Sequence, residues 1–198
     1  MTNRSPLLSL RGIQKSYGPI KVLHGVDLDI YPGEVVALLG ENGAGKSTLS
    51  NIISGTVQPS AGEMTWLGKP YAPANPRAAM DEGVGMIHQE LKLLPKLSIA
   101  ENVFVGRYPM KSGRLDRRAM EERARAGLQR LGLDVSPDRL VEGLSTGRQQ
   151  LIEIAKALTL NARLLILDEP TAALGSEETQ LLFHQIERGE AGGIGRLQ

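Results

Sequence analysis

Apolar and polar residues alternate through Ile20-Lys21-Val22-Leu23 and again through Val26-Asp27-Leu28-Asp29-Ile30, which predicts antiparallel strands near the N-terminus. Pro32-Gly33 predicts a turn, and residues 34–39 read as a buried strand running into Gly40. Leu49, Ile52 and Ile53 then share one face of a short helix that Gly55 stops. A turn at residues 59–62 leads into a strand over 63–67, and residues 84–88 form another. From about residue 91 to 160 the pattern becomes helical. Residues 115–131 are rich in Arg and Glu with spaced apolar positions, and Leu151, Ile154, Ala155 and Leu158 make one stripe. Leu164-Leu165-Ile166-Leu167 is a continuous apolar run of the kind found in strands covered on both faces. The pattern describes an α/β core with a helical insertion between two of its strands.

Composition narrows the chemistry by exclusion. The 198 residues suffice for one domain with a substantial core, and 41% of them are apolar. Without cysteine the chain has neither a disulfide framework nor a thiol metal site. A net charge of +1 gives no reason to expect nucleic acid as a partner. The apolar runs are too short to span a bilayer, and residues 1–6 do not open a signal peptide. These features predict a cytoplasmic protein, not inserted in a membrane, whose membrane association comes through another subunit.

Gly40-Glu41-Asn42-Gly43-Ala44-Gly45-Lys46-Ser47 fits the G-x-x-x-x-G-K-[ST] pattern at every fixed position, between a predicted strand and a predicted helix. The glycines let successive backbone N–H groups curl around a phosphate chain, and the helix start adds partial positive charge. Lys46 can bridge phosphate oxygens, the Ser47 hydroxyl can ligate Mg²⁺, and Thr48 stands within reach of the α-phosphate. Asp168 ends the apolar strand 164–167, at the strand edge where ligands of open α/β sheets sit, and suits a second Mg²⁺ ligand. The adjacent Glu169 suits polarisation of an attacking water. A chance glycine turn and a plain acidic strand end are the bland alternatives; the two motifs together outweigh them.

Leu144-Ser145-Thr146-Gly147-Arg148-Gln149-Gln150 opens a helix, with Ser145 in a capping position, 23 residues before Asp168. With the phosphate loop and the acidic strand end in this order, the chain resembles the ATP-binding subunits of ABC transporters. The segments Glu90-Leu91-Lys92-Leu93-Leu94-Pro95, Ile99-Ala100-Glu101-Asn102-Val103 and Ala155-Lys156-Ala157-Leu158 are most similar to the first nucleotide-binding domain of bacterial monosaccharide importers of the ribose, galactose and xylose type. The resemblance implies a P-loop NTPase core sheet with N-terminal antiparallel strands and a helical subdomain. Residues 1–88 and 161–188 would form the core and 89–160 the subdomain. It implies that Ser145 and Gly147 contact the γ-phosphate of ATP held by an opposing cassette. Thr146 and Arg148 depart from the family's usual Leu-Ser-Gly-Gly-Gln, a motif that varies in sugar-importer ATPases. Gln89 takes the place of the Q-loop glutamine, near Mg²⁺ and the lytic water, and Tyr17 that of the aromatic stacked on adenine. A turn-packing tyrosine is the rival reading. Ala172-Ala173-Leu174-Gly175 occupies the D-loop position.

The implied cofactors are ATP and Mg²⁺. The implied partners are a second cassette, fused or as a homodimer, a transmembrane sugar permease, and through it a periplasmic sugar-binding protein. Such a subunit would lie on the inner face of the cell membrane and hydrolyse ATP. Family members continue into a further core strand ending in a switch histidine, which His184, on a predicted helix, does not replace. That strand and the H-loop are expected to be missing here, and glycine-rich residues 189–198 are expected to be irregular. Nucleotide binding without hydrolysis, and a non-transport ABC ATPase, remain alternatives. His24, His88, Trp66 and the Arg-rich helix read as structural or solvated positions.

Overall fold

The alternating N-terminus builds a longer hairpin than its pattern predicts. In the computed structural model, which describes residues 5–41, 43–87, 92–167 and 196–197, strand β1 (Leu8–Tyr17) pairs antiparallel with β2 (Ile20–Ile30). The register slips between Leu10 and Ile13, where Gly12 takes φ +58° and donates its N–H to Asp27 Oδ1 at 2.6 Å. That bulge puts Leu8, Leu10 and Ile13 all into the core. Strand β3 (Ala61–Trp66) pairs with the other edge of β1, and β4 (Lys69–Pro70) pairs with β3. Arg11 grips Asp29 through both carboxylate oxygens at 2.8 Å, and Ser9 donates to the same group. The Arg11 guanidinium, and after it the Ser9 hydroxyl, hold the Asp29 carboxyl below its ordinary range.

Two compact units divide the described residues. The first takes those within Met1–Met86, Ala162–Asp168 and Gly192–Gln198; the second takes those within Ile87–Asn161. In the first, helix α1 (Lys46–Ile53) buries Leu49, Ile52 and Ile53 in one apolar cluster with Leu8, Leu10, Ile13, Ile30 and Trp66. The C-terminal end of α1 is tied down: Gly55 at φ +76° donates to the Ile52 carbonyl, and the Tyr71 hydroxyl donates to the Ile53 carbonyl at 2.9 Å. Burial pushes the Tyr71 phenol well above its usual range. Helix α2 (Pro76–Asp81) starts at Asn75, whose side chain accepts from Ala78 N–H, and Trp66 Nε1 donates to the Glu82 carbonyl beyond it. A second sheet runs β5 (Val84–Ile87), β8 (Leu164–Leu167), β9 (Arg196–Leu197). All four residues of β8 are buried, as a strand covered on both faces requires.

The second unit is built on three helices, α3 (Ile99–Phe104), α4 (Arg117–Arg130) and α5 (Thr146–Thr159), which pack pairwise. Between α3 and α4 stands a small hairpin, β6 (Met110–Lys111) and β7 (Arg114–Leu115). The predicted stripe on α5 is buried at Leu151, Ile154, Ala155 and Leu158, and the two helices it packs on bury Val103 and Phe104 of α3 and Met120, Ala124 and Leu128 of α4.

Two expectations fail here. Residues 34–39 do not form a buried strand: Val35 makes a single bridge, 36–40 carry no ladder, and Leu39 is 90% exposed. An apolar run becomes a buried strand only where neighbours supply hydrogen bonds and cover, and among the described residues none pairs with 36–40. Nor is the chain end irregular throughout, since Arg196–Leu197 pair parallel with Leu165 and Ile166. The edge of β8 offers backbone groups to which any residue's main chain can bond.

Candidate functional site

Between Gly43 and the start of α1 the backbone turns in the way its glycines permit. Gly43 takes φ +86° and Gly45 φ +87°, values that would strain any residue carrying a Cβ. Ala44 N–H donates to the Glu41 carbonyl at 3.1 Å, curling the loop, and Gly40 lies so close to Ala44 that a Cβ would meet Ala44 Cβ at 3.2 Å. Gly45 is the N-cap of α1 and, lacking a side chain, caps nothing; the first turn holds no acidic residue. Neither a side-chain cap nor an acidic residue of its own first turn therefore offsets the N–H groups and partial positive charge at the start of α1.

The backing of the loop comes from β2. A Cβ on Gly45 would fall 2.6 Å from Leu23 Cδ2 and 3.3 Å from the Val22 carbonyl oxygen. Glycine is thus demanded twice, by conformation and by close approach. Lys46 bends back and donates Nζ to the carbonyls of Gly40, at 2.7 Å, and Glu41, at 3.0 Å. An ammonium held by two neutral carbonyls is closed over its own loop, and a charged oxygen would compete for it on better terms. Ser47 is exposed one residue further on, and Thr48 is half-buried.

Tyr17 stands at the tip of the β1–β2 hairpin, the same hairpin whose Val22 and Leu23 back the loop. The residue is 47% exposed, with Lys15 Nζ 5.1 Å from the ring centroid. The structure therefore gathers Tyr17, Gly40, Glu41, Gly43, Ala44, Gly45, Lys46, Ser47 and Thr48 in one unit. Asn42, Gln89, Asp168 and Glu169 lie outside the described residues, as do the D-loop segment 172–175, His88 and His184.

In the second unit, Ser145 is the N-cap of α5, extended at φ −60° and ψ 153°, and its Oγ accepts from Arg148 N–H at 3.4 Å. Gln149 Nε2 reaches back to the Leu144 carbonyl at 2.8 Å and holds the turn that enters the helix. Ser145, Thr146 and Arg148 are exposed, while Gly147 is buried. Asn102, buried on α3, accepts from Leu94 N–H at 2.7 Å and donates to the carbonyls of Leu94 and Ser98. It thereby stitches residues 94–98 onto the helix. Ser98 and Glu101 close a reciprocal capping box at 3.1 and 2.9 Å. Hydrogen bonds from Ser98, its backbone N–H first, hold the Glu101 carboxyl below its ordinary range. Sequence reading missed Val22 and Leu23 as loop backing, and the stitching by Asn102 and Gln149. A periodicity search has no signal for either.

Comparison with known proteins settles the family. The sequence signature described as "ABC transporter" matches residues 23–172. The chain belongs to the ABC transporter family. Among curated family members, the ribose import ATP-binding protein RbsA 1 of Rubrobacter xylanophilus is 48% identical over 190 residues, 96% of this chain and 38% of that protein. A putative ribose/galactose/methyl galactoside import ATP-binding protein of Agrobacterium fabrum is 47% identical over 97% of this chain and 38% of its own length. The chain thus spans little more than a third of these relatives. Among solved structures, the cassette MJ1267 superimposes with TM-score 0.84 at 27% identity, covering 98% of this chain and 81% of that one. The cbiO1 subunit of Clostridium perfringens gives TM-score 0.80 at 29% identity, over 97% of this chain and 77% of that one. The fold is the α/β P-loop core of an ABC cassette with its antiparallel N-terminal strands.

Proposed function

We propose that this chain binds MgATP at residues 40–48 and is the ATP-binding, ATP-hydrolysing part of a subunit that energises import of a sugar across the bacterial inner membrane. One observation carries the nucleotide reading: a curled glycine loop, ending in a helix start free of side-chain caps, with Lys46 folded over it. Backbone N–H groups of Gly43, Ala44, Gly45 and Lys46 would cradle the phosphates, with Glu41 and Asn42 completing the loop, and Lys46 would exchange two carbonyls for phosphate oxygens. Thr48 would face the α-phosphate, and Tyr17, exposed on the hairpin that backs the loop, would stack on the base. The hydroxyl of Ser47, exposed beside Lys46, is a hard oxygen donor of the kind Mg²⁺ takes; with Asp168 and Gln89 it would hold the ion. Bound Mg²⁺ supplies charge neutralisation on the phosphates.

Glu169 would orient the attacking water, and Ser145 and Gly147 of an opposing cassette would face the γ-phosphate from the start of α5. Residues 1–88 and 161–188 are assigned to the nucleotide-binding core, and 89–160 to a helical subdomain. A solved relative, the cassette MJ0796, is a dimer bound to ADP and phosphate, which supports a second cassette as partner. The curated relatives' description as ribose or galactoside import proteins supports a sugar permease, with a periplasmic binding protein acting through it, and a peripheral position on the inner face of the membrane. The test pairs labelled-ATP binding with steady-state phosphate release, in the chain and in Glu169→Gln. The substitution is expected to retain bound nucleotide while release stops; undiminished release removes Glu169 from the role of base.

A further inference from the structure

Residues 105–118 hold five basic side chains, Arg107, Lys111, Arg114, Arg117 and Arg118, against one acidic one, Asp116. Arg118 is paired with Glu122 at 2.8 Å, which leaves a local excess of three positive charges in a chain whose net charge is only +1. At the centre of this segment is the β6–β7 hairpin, where every residue from Met110 to Leu115 is exposed. Its turn, Ser112-Gly113, takes φ +50° and +77°, the double positive-φ geometry of a tight two-residue turn. Asp116 N–H donates to the Pro109 carbonyl at 2.9 Å and clamps the open end, while the Asp116 side chain is engaged in capping α4.

The register sorts the side chains. Met110 pairs with Leu115 and Lys111 with Arg114, so the apolar pair shares one face and the basic pair the other. Met110 is 61% exposed, and Tyr108 and Val105 add further exposed apolar surface just before the hairpin. A strand pair this short is marginal in water on its own, and an apolar face backed by a basic one, whose long side chains can reach round to its edge, suits a boundary between apolar and anionic phases. Four partly exposed side chains are too few for the ~800 Å² per partner of a stable protein interface. Shallow insertion needs no such area, because each apolar side chain and each cation contributes separately.

We propose that the β6–β7 hairpin is a docking element for an anionic lipid surface, with Met110, Leu115 and Tyr108 entering the headgroup region while Lys111 and Arg114 meet lipid phosphates. This contact is made by the chain itself, in addition to any permease, and does not depend on nucleotide binding.

The test is co-sedimentation of the 198-residue chain with vesicles of phosphatidylglycerol and phosphatidylcholine in equal amounts, against phosphatidylcholine alone. The chain is expected to bind the anionic vesicles only, and less at high salt, where the charge attraction is screened. Lys111→Ala with Arg114→Ala should weaken binding roughly 25-fold, about fivefold for each cation lost. Met110→Ser with Leu115→Ser should weaken it at least about tenfold. All four positions are exposed, and far-ultraviolet circular dichroism checks that each variant folds. Absent binding, equal binding to neutral vesicles, or binding indifferent to either pair overturns the proposal. A dimer of the free chain that Met110→Ser with Leu115→Ser abolishes, without vesicle binding, gives the face to a second copy and overturns it too. Labelled-ATP binding in the same samples reports separately on the nucleotide site.

Discussion

Gly127 lies inside α4, where alanine would ordinarily stabilise a helix by about 0.5–1 kcal/mol. Here the sign should reverse. A Cβ at this position would stand 2.1 Å from Thr159 Oγ1 and 3.1 Å from the Ala155 carbonyl oxygen, both on α5. Thr159 is buried and donates that hydroxyl to the same Ala155 carbonyl at 2.7 Å. Admitting a methyl group forces Thr159 to turn, leaving a buried hydroxyl without its acceptor at a cost of about 1–3 kcal/mol. The alternative, parting the two helices, is overpacking of similar cost, about 1–3 kcal/mol. After the propensity gain is subtracted, Gly127→Ala should destabilise by roughly 1–2 kcal/mol. Urea unfolding followed at helical wavelengths measures this. The same substitution made beside Thr159→Ala should be neutral or stabilising, because the obstructing oxygen is gone, giving a coupling of at least about 1 kcal/mol. If Gly127→Ala stabilises the chain, or the two substitutions simply add, the close α4–α5 contact is wrong.

Two further outcomes follow from the loop and from α3. Gly45→Ala combines a positive φ with a 2.6 Å approach to the buried Leu23, and should lower ATP affinity at least about tenfold and the melting temperature by several degrees; unchanged affinity would show that the loop does not need this geometry. The Glu101 carboxyl titrates below its ordinary value in the folded chain, so its capping contribution is fully present above the unfolded value, about 4.3, and fades as pH falls through the folded one. The stability advantage of the native chain over Glu101→Gln should therefore shrink below about pH 4, and a pH-independent difference would contradict the capping geometry.

What could be read from the sequence depended on how local the signal was. The glycine-lysine pattern of residues 40–47 fixes a loop conformation by itself, since only glycine accepts φ near +87° at Gly43 and Gly45 without strain. The helix after it, the cap at Ser145 and the stripe on α5 were equally legible, each resting on residues within two turns of one another. Strand β1 was not, because the bulge at Gly12 shifts Ile13 out of the alternation that Leu8 and Leu10 begin. The hairpin at Met110–Leu115 was lost inside a segment read as helical, since two-residue strands are too short to show a period. Residues 34–39 misled in the opposite direction: their apolar run is genuine, but a ladder depends on distant partners that local pattern does not reveal.

Equilibrium binding of labelled ATP, with Mg²⁺ present, to the native chain and to Lys46→Ala tests the nucleotide assignment most directly. Losing a charge-assisted contact worth about 1.5–3 kcal/mol should weaken binding by roughly 10- to 150-fold or abolish it. Equal affinity in the two proteins would mean that the ammonium now resting on Gly40 and Glu41 never meets a phosphate.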